Sequence, residues 1–194
     1  WEGCVYHMTC RGSRFADGAK RNPDGEVFMK NRETDEWLKQ NQRSTRNFLR
    51  KWGHYCKHDE LMKPIIPPKY DIGFIVKNCN EQLLEALEPW CSTIYVDCEY
   101  DSYIKREQIN THYDLLDRIK PFDNETQNDI LVEIDGNQFS NNDFRIIQTL
   151  PEILANDEQL WEVILIEPTH FEIENLKVTI NSLQTYELGL ICNK

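Results

Sequence analysis

The chain has 194 residues, with 33 Asp and Glu against 22 Lys and Arg, for a formal net charge of −11. That charge is unevenly placed, residues 1–69 balancing at +5 and residues 70–194 at −16, so the halves face different partners or each other. Five Trp, eight Tyr and eight Phe exclude a disordered acidic chain, and no apolar run approaches the length of a membrane helix. Seven cysteines without close pairing fit a reducing, cytoplasmic setting better than a disulfide framework.

Residues Gly3 to Thr9 read as a short buried strand, followed by a Gly-, Arg- and Asp-rich loop from Arg11 to Gly25 that contains the turn Asn22-Pro23-Asp24-Gly25. Because Trp1 opens directly into that strand, the chain reads as lacking an upstream part. From Thr34 the period becomes helical. Trp37, Leu38, Asn41, Thr45, Phe48, Leu49 and Trp52 share a stripe, with acids in the first turn, bases in the last and Gly53 as the closing residue. The aromatics that interleave with Arg fall on this stripe, so core packing accounts for them and nucleic-acid binding is not indicated. Three prolines within Lys63–Lys69 predict a stiff connector. The expected organisation is therefore residues 1–62, a linker at 63–69, and an acidic module at 70–194.

In the acidic module the periods alternate as βαβ units do. Strands are predicted at Asp71–Lys77, Ser92–Asp97 and Asp129–Asp135. Helices are predicted at Glu81–Leu87, from Asp101-Ser102 to about Lys120, and at Asn142–Ala155 with an interruption at Pro151. Trp161–Glu167, Phe171–Ile180 and Tyr186–Cys192 alternate apolar and polar residues without intervening helices, which predicts an antiparallel tail. The fold class is α/β, a three-layer Rossmann-like mixed sheet with parallel strands and antiparallel C-terminal strands, preceded by a helical, loop-rich N-terminal segment.

Two places carry chemistry. In Val5-Tyr6-His7-Met8-Thr9-Cys10-Arg11-Gly12-Ser13-Arg14-Phe15, an imidazole at a strand end precedes a flexible loop with two guanidinium groups. That set suits a metal-bound diphosphate, while a core histidine beside a solvated loop is the other reading. In the acidic module, Asp97 and Asp135 end apparent parallel strands. Glu133 and Asp135 share a face, with Asn137 next, so they either cap turns or hold a cation or ribose. His54-Tyr55-Cys56-Lys57-His58 lacks the paired spacing of a zinc site, and no metal is assigned there.

The His7 strand with its Arg11–Arg14 loop, together with the helix ending Lys51-Trp52-Gly53, resembles the C-terminal end of family 2 glycosyltransferases of the GT-A fold. The resemblance covers about the first 55 residues. It implies that His7 is a metal ligand and that Arg11, Ser13 and Arg14 lie near the diphosphate of a nucleotide-sugar. It also implies a divalent cation, Mn²⁺ or Mg²⁺, and a glycan or similar acceptor for the full-length protein.

The strands Asp71-Ile-Gly-Phe-Ile-Val76, Ser92-Thr-Ile-Tyr-Val-Asp97 and Asp129-Ile-Leu-Val-Glu-Ile-Asp135-Gly-Asn137 look like a reduced GT-A half domain. In that family such strands open the fold, meet the nucleotide and end at the metal aspartates. Asn137 stands where the second aspartate is expected, and His170 is the one later histidine. The expected function is that of a C-terminal fragment of a nucleotide-sugar-dependent glycosyltransferase, inactive alone because the upstream aspartates and base are absent, with no catalytic residue assigned. The alternative is a non-catalytic accessory or protein-binding α/β module on which the basic segment docks. Apolar surface on the Trp37–Trp52 helix predicts self-association.

Overall fold

The computed structural model describes residues 34–156 and 168–186. The predicted strands Gly3–Thr9 and Trp161–Glu167, the Arg11–Gly25 loop and nearly all of Tyr186–Cys192 lie outside them. Two compact units divide between Ser44 and Thr45.

In the first unit the described residues open helix α1, Asp35–Trp52, where the Thr34 hydroxyl accepts the Trp37 N–H at 3.2 Å. Asp35 and Glu36 in the first turn complement the helix dipole.

The second unit starts with the last two turns of α1, which bury Leu49 and Arg50 and end at Gly53 with φ +75°, the left-handed closing residue expected there. Short strands β1 (Lys57–His58) and β2 (Pro64–Ile65) then pair antiparallel, and β3 (Lys69–Tyr70) follows. The proline-rich run therefore lies inside this unit, with Pro64 itself in a strand pair.

Strand β4 (Ile72–Lys77) is the centre of the main sheet. After it come α2 (Glu81–Leu87), β5 (Thr93–Val96), α3 (Asp101–Glu107), α4 (Leu115–Arg118), β6 (Ile119–Pro121), β7 (Ile130–Asp135), α5 (Asn141–Asn156), β8 (Thr169–Ile173), β9 (Leu176–Ile180) and β10 (Thr185–Tyr186). Six strands form one sheet in the order β6-β5-β4-β7-β9-β8, the first four parallel and the β9 pairings antiparallel. Strand β10 pairs separately with β3. This is the expected α/β mixed sheet, parallel in its first strands and antiparallel at its end.

One face of the sheet carries Ile72, Phe74, Val76, Ile94, Val96, Ile130, Val132, Ile134, Leu176, Val178 and Ile180. These share a single core with Leu49, Leu84, Leu87, Tyr103, Leu115, Ile147, Leu150 and Leu154 from the helices. Among the described residues the helices thus gather on one face. The opposite face, at Thr93 and Tyr95, borders a polar cavity of about 420 Å³ whose far side is Asn124, Glu125, Gln127 and Asn128. These residues belong to the 122–129 segment that crosses from β6 to β7, too few residues for a crossover helix. Its Asn128 accepts from the Tyr95 hydroxyl at 3.1 Å and donates to Asp71 at 2.7 Å. Gly73 makes room for it, since a Cβ there would lie 2.4 Å from the Asn128 side-chain oxygen.

Three elements differ from the sequence reading. The helix expected to reach Lys120 stops at Glu107, passes through a 3-10 turn at Gln108–Asn110, and restarts at Leu115. Gln108 causes the break: its side chain donates to the Tyr113 carbonyl and accepts the Leu115 N–H, both at 2.9 Å, closing the connecting loop, and Asp114 caps α4. The freed residues 119–121 become an edge strand, where Pro121 costs no ladder bond. Phe171–Ile180 is a hairpin, turned at Glu174 with φ +51°. Helix α5 continues through Pro151, which is buried.

Candidate functional site

Chain order fixes where a ligand can enter the sheet. From β4 the chain steps outward through β5 to β6, then returns to lay β7 on the other side of β4. The topological switch point therefore falls between β4 and β7, and ligands of open α/β sheets bind outside the carboxyl ends of the strands at such a point.

Here those ends converge on one residue, Asn78. Its backbone turns into the left-handed region at φ +51°, a conformation asparagine tolerates. Its N–H donates to Asp97 at 2.6 Å, and the next N–H, that of Cys79, donates to the other Asp97 oxygen at 2.9 Å. Its side-chain amide donates to Asp135 at 2.9 Å, and the same Asp135 oxygen accepts the Asn137 N–H at 3.0 Å. Asn80 then caps α2 by accepting the Leu83 N–H.

On the β7 side the Gly136 N–H binds the Lys77 carbonyl at 2.8 Å. A Cβ at Gly136 would meet the Asn78 carbonyl at 2.3 Å, so only glycine fits this close approach. The bonds from Asn78 and Asn137 hold the Asp135 carboxyl below its usual range. The Cys79 thiol donates to the Asn80 carbonyl at 3.5 Å, and burial pushes the thiols of Cys79 and of Cys98, which follows β5, up, so they stay protonated. Lys77 lies 5.7 Å from the Phe122 ring at the rim.

The acids anticipated at strand ends are thus brought together in part. Asp97 and Asp135 close on one turn from either side of β4. Glu133 shares their face but sits two residues down β7, exposed opposite Lys177. His170 is not near them. It pairs with Thr179, which pairs with Leu131, so it lies level with a residue four positions before Asp135 and two strands away, about 13 Å back along the sheet direction alone. Its ring nitrogen contacts the Thr179 hydroxyl at 2.9 Å. His7, Arg11, Ser13 and Arg14 lie outside the described residues. Among the described residues no three His, Cys, Asp or Glu side chains gather as a metal-holding group.

Two polar clusters are buried away from the strand ends. Glu88, fully buried after α2, receives Arg50 at 2.6 Å, Arg118 at 2.6 Å and the Tyr103 hydroxyl at 3.0 Å. Burial disfavours its charge, but Arg118 and Arg50 outweigh that and bring it down to about 2. The cluster continues through Glu107 to Arg46, which also pairs with Glu85. Asp143, also fully buried, accepts from the Ser140 N–H and hydroxyl and from the Asn175 N–H and side-chain amide, tying α5 to the β8–β9 turn. Ser140-x-x-Asp143 is a capping-box pattern visible in the sequence; the partners of Glu88 have no such local signature.

Compared with protein-family models, with curated proteins and with solved structures, the chain matches none. Among the described residues no helix is long and apolar enough to cross a membrane.

Proposed function

We propose that the acidic module is the nucleotide-binding half of a nucleotide-sugar-dependent glycosyltransferase, taking a nucleoside diphosphate with a divalent cation over the Asn78 turn. The observation that supports this reading best is the reversal of chain direction at β4, flanked by Asp97 on one side and Asp135-Gly136-Asn137 on the other. The donor set suits the cation. A carboxylate and an amide oxygen are hard ligands, and Mg²⁺ or Mn²⁺ is commonly held by one or two carboxylates, with phosphate oxygens and water completing the shell.

In this reading Asp135 and Asn137 hold the cation, whose chemistry is to neutralise diphosphate charge as that group departs. Asp97 orients the loop that meets the nucleoside. The N-terminal unit, with His7, Arg11, Ser13 and Arg14, closes one transferase domain, and the unit that begins at Thr45 opens another.

Isothermal titration of the chain with uridine, guanosine, adenosine and cytidine diphosphates, with and without Mn²⁺, tests this. One nucleotide should bind in a Mn²⁺-dependent way, and Asp135→Asn should weaken it at least tenfold. No binding of any of the four at millimolar concentration, by protein shown folded by circular dichroism, would defeat the proposal.

A further inference from the structure

The polar cavity behind the sheet reaches Asp71 and Ser92, which immediately precede β4 and β5, so it lies toward the end of the sheet opposite the Asn78 turn. Its floor is Thr93 and Tyr95, with Lys120 of the edge strand beside Tyr95. Its roof is the 122–129 segment, which is fixed at both ends. The Phe122 N–H donates to the Val96 carbonyl at 2.9 Å and the Ile130 N–H to the Asp71 carbonyl at 3.0 Å, while Asn128 ties the segment to Tyr95 and Asp71. The space is therefore built into the fold, and its volume of about 420 Å³ falls within the roughly 300–1,000 Å³ of small-molecule sites.

The lining selects the ligand. Crossover helices cover both faces of most parallel sheets with apolar side chains. Here floor and roof carry hydroxyls, amides and charges instead, which match neither a lipid chain nor an apolar segment. Three acids, Asp71, Asp117 and Glu125, face one base, Lys120, and that balance disfavours phosphate and other anions. Two of the acids are engaged within the wall, Asp71 accepting from Asn128 at 2.7 Å and Asp117 lying 3.9 Å from Lys120. What is left to meet a ligand is the Thr93 hydroxyl, the amides of Asn124 and Gln127 and the Glu125 carboxylate, whose side chains make no hydrogen bond among the described residues. Amides donate and accept at once, and a carboxylate accepts from two neighbouring hydroxyls, which complements a ring bearing several O–H groups.

We propose that this cavity binds a neutral, polyhydroxylated small molecule of monosaccharide size, held by Thr93, Asn124, Glu125 and Gln127. The site stands apart from the nucleotide reading of the Asn78 turn and does not depend on it.

The test is a titration of the full chain with glucose, galactose, mannose and inositol, followed by backbone amide spectra up to tens of millimolar. At least one of the four should shift the amides of Thr93 and of residues 124–128 along a saturating curve. The double variant Glu125→Ala, Gln127→Ala should weaken that binding about tenfold, because it removes two hydrogen-bonding side chains from the ligand. Both side chains are exposed, so the rest of its spectrum should match wild type. Thr93→Val, a change of similar shape, should weaken binding from the floor as well. Asp135→Asn should leave the sugar curve unchanged, so this site and the nucleotide site fail separately. The proposal is overturned if none of the four compounds shifts these amides saturably, if the variants titrate like wild type, or if spermidine or inorganic phosphate saturates the site where the sugars do not.

Discussion

Glu88→Gln isolates the buried charge cluster. The substitution preserves volume and removes one negative charge from a site with no exposure, leaving the side chains of Arg50 and Arg118 facing a neutral amide. The folded protein holds Glu88 down to about 2, against an ordinary value of 4.5. That depression corresponds to about 3 kcal/mol favouring the charged folded form. Breaking one partner of a buried pair costs about 3–5 kcal/mol, a similar figure by a separate route.

The sign follows from the direction of the shift. Because the folded value is depressed, the contribution is complete above 4.5 and is lost as pH falls from there toward 2. Urea unfolding at pH 7 should therefore show Glu88→Gln less stable by about 3 kcal/mol, with a melting temperature lower by roughly 6–12 °C. The wild type should lose stability more steeply than the variant between pH 4.5 and 2. Glu85→Gln is the control, since Glu85 is 36% exposed and its pairs with Arg46 and Arg106 should be worth below about 1 kcal/mol. If Glu88→Gln stays within 1 kcal/mol of wild type, or the two acid profiles run parallel, the cluster is not holding the helices as argued.

Three further outcomes are expected. Gly136→Ala should destabilise by about 1–3 kcal/mol in thermal melting, because its Cβ meets backbone atoms of Asn78 that cannot step aside, and it should weaken nucleotide binding with it. Asp143→Ala leaves Ser140 and Asn175 without their shared acceptor and should cost about 1–3 kcal/mol, with hydrogen exchange rising first at the start of α5 and in the β8–β9 turn. Asn137→Asp adds a carboxylate beside Asp135 and should raise Mn²⁺ affinity measured by titration; unchanged affinity would remove Asn137 from the cation shell.

Strand β4 was legible as a largely buried apolar run, and β5 and β7 as short apolar segments each ending at an aspartate, β7 broken by the exposed Glu133. Helix α2 was legible because Asn80 caps a short apolar pattern. Strand β6 was not: three residues at a sheet edge carry no period, and its existence depends on Gln108 stopping the preceding helix. At the site, Asp97 and Asp135 were readable as strand-end acids. The residue that joins them, Asn78, was not, because its role lies in a backbone turn and a side-chain amide that no spacing announces. Glu88 was hidden for another reason, its guanidinium partners lying 38 residues before it and 30 after.

That same cluster explains why the charge boundary in the sequence and the structural boundary fall in different places. Counting charges puts the division near Lys69, but the acids at 85, 88 and 107 need Arg46 and Arg50, so the last turns of α1 belong to the acidic unit and the division falls at Ser44. The difference is open to a deletion test. A chain starting at Thr45 retains Leu49, Arg46 and Arg50 and should unfold with the same urea midpoint as the full chain. One starting at Lys63 leaves Glu88 with Arg118 as its single guanidinium partner and uncovers the apolar site of Leu49, and should lose about 3–5 kcal/mol or fail to fold. Equal midpoints for the two deletions would mean that α1 is an appendage, and that the acidic residues are satisfied without it.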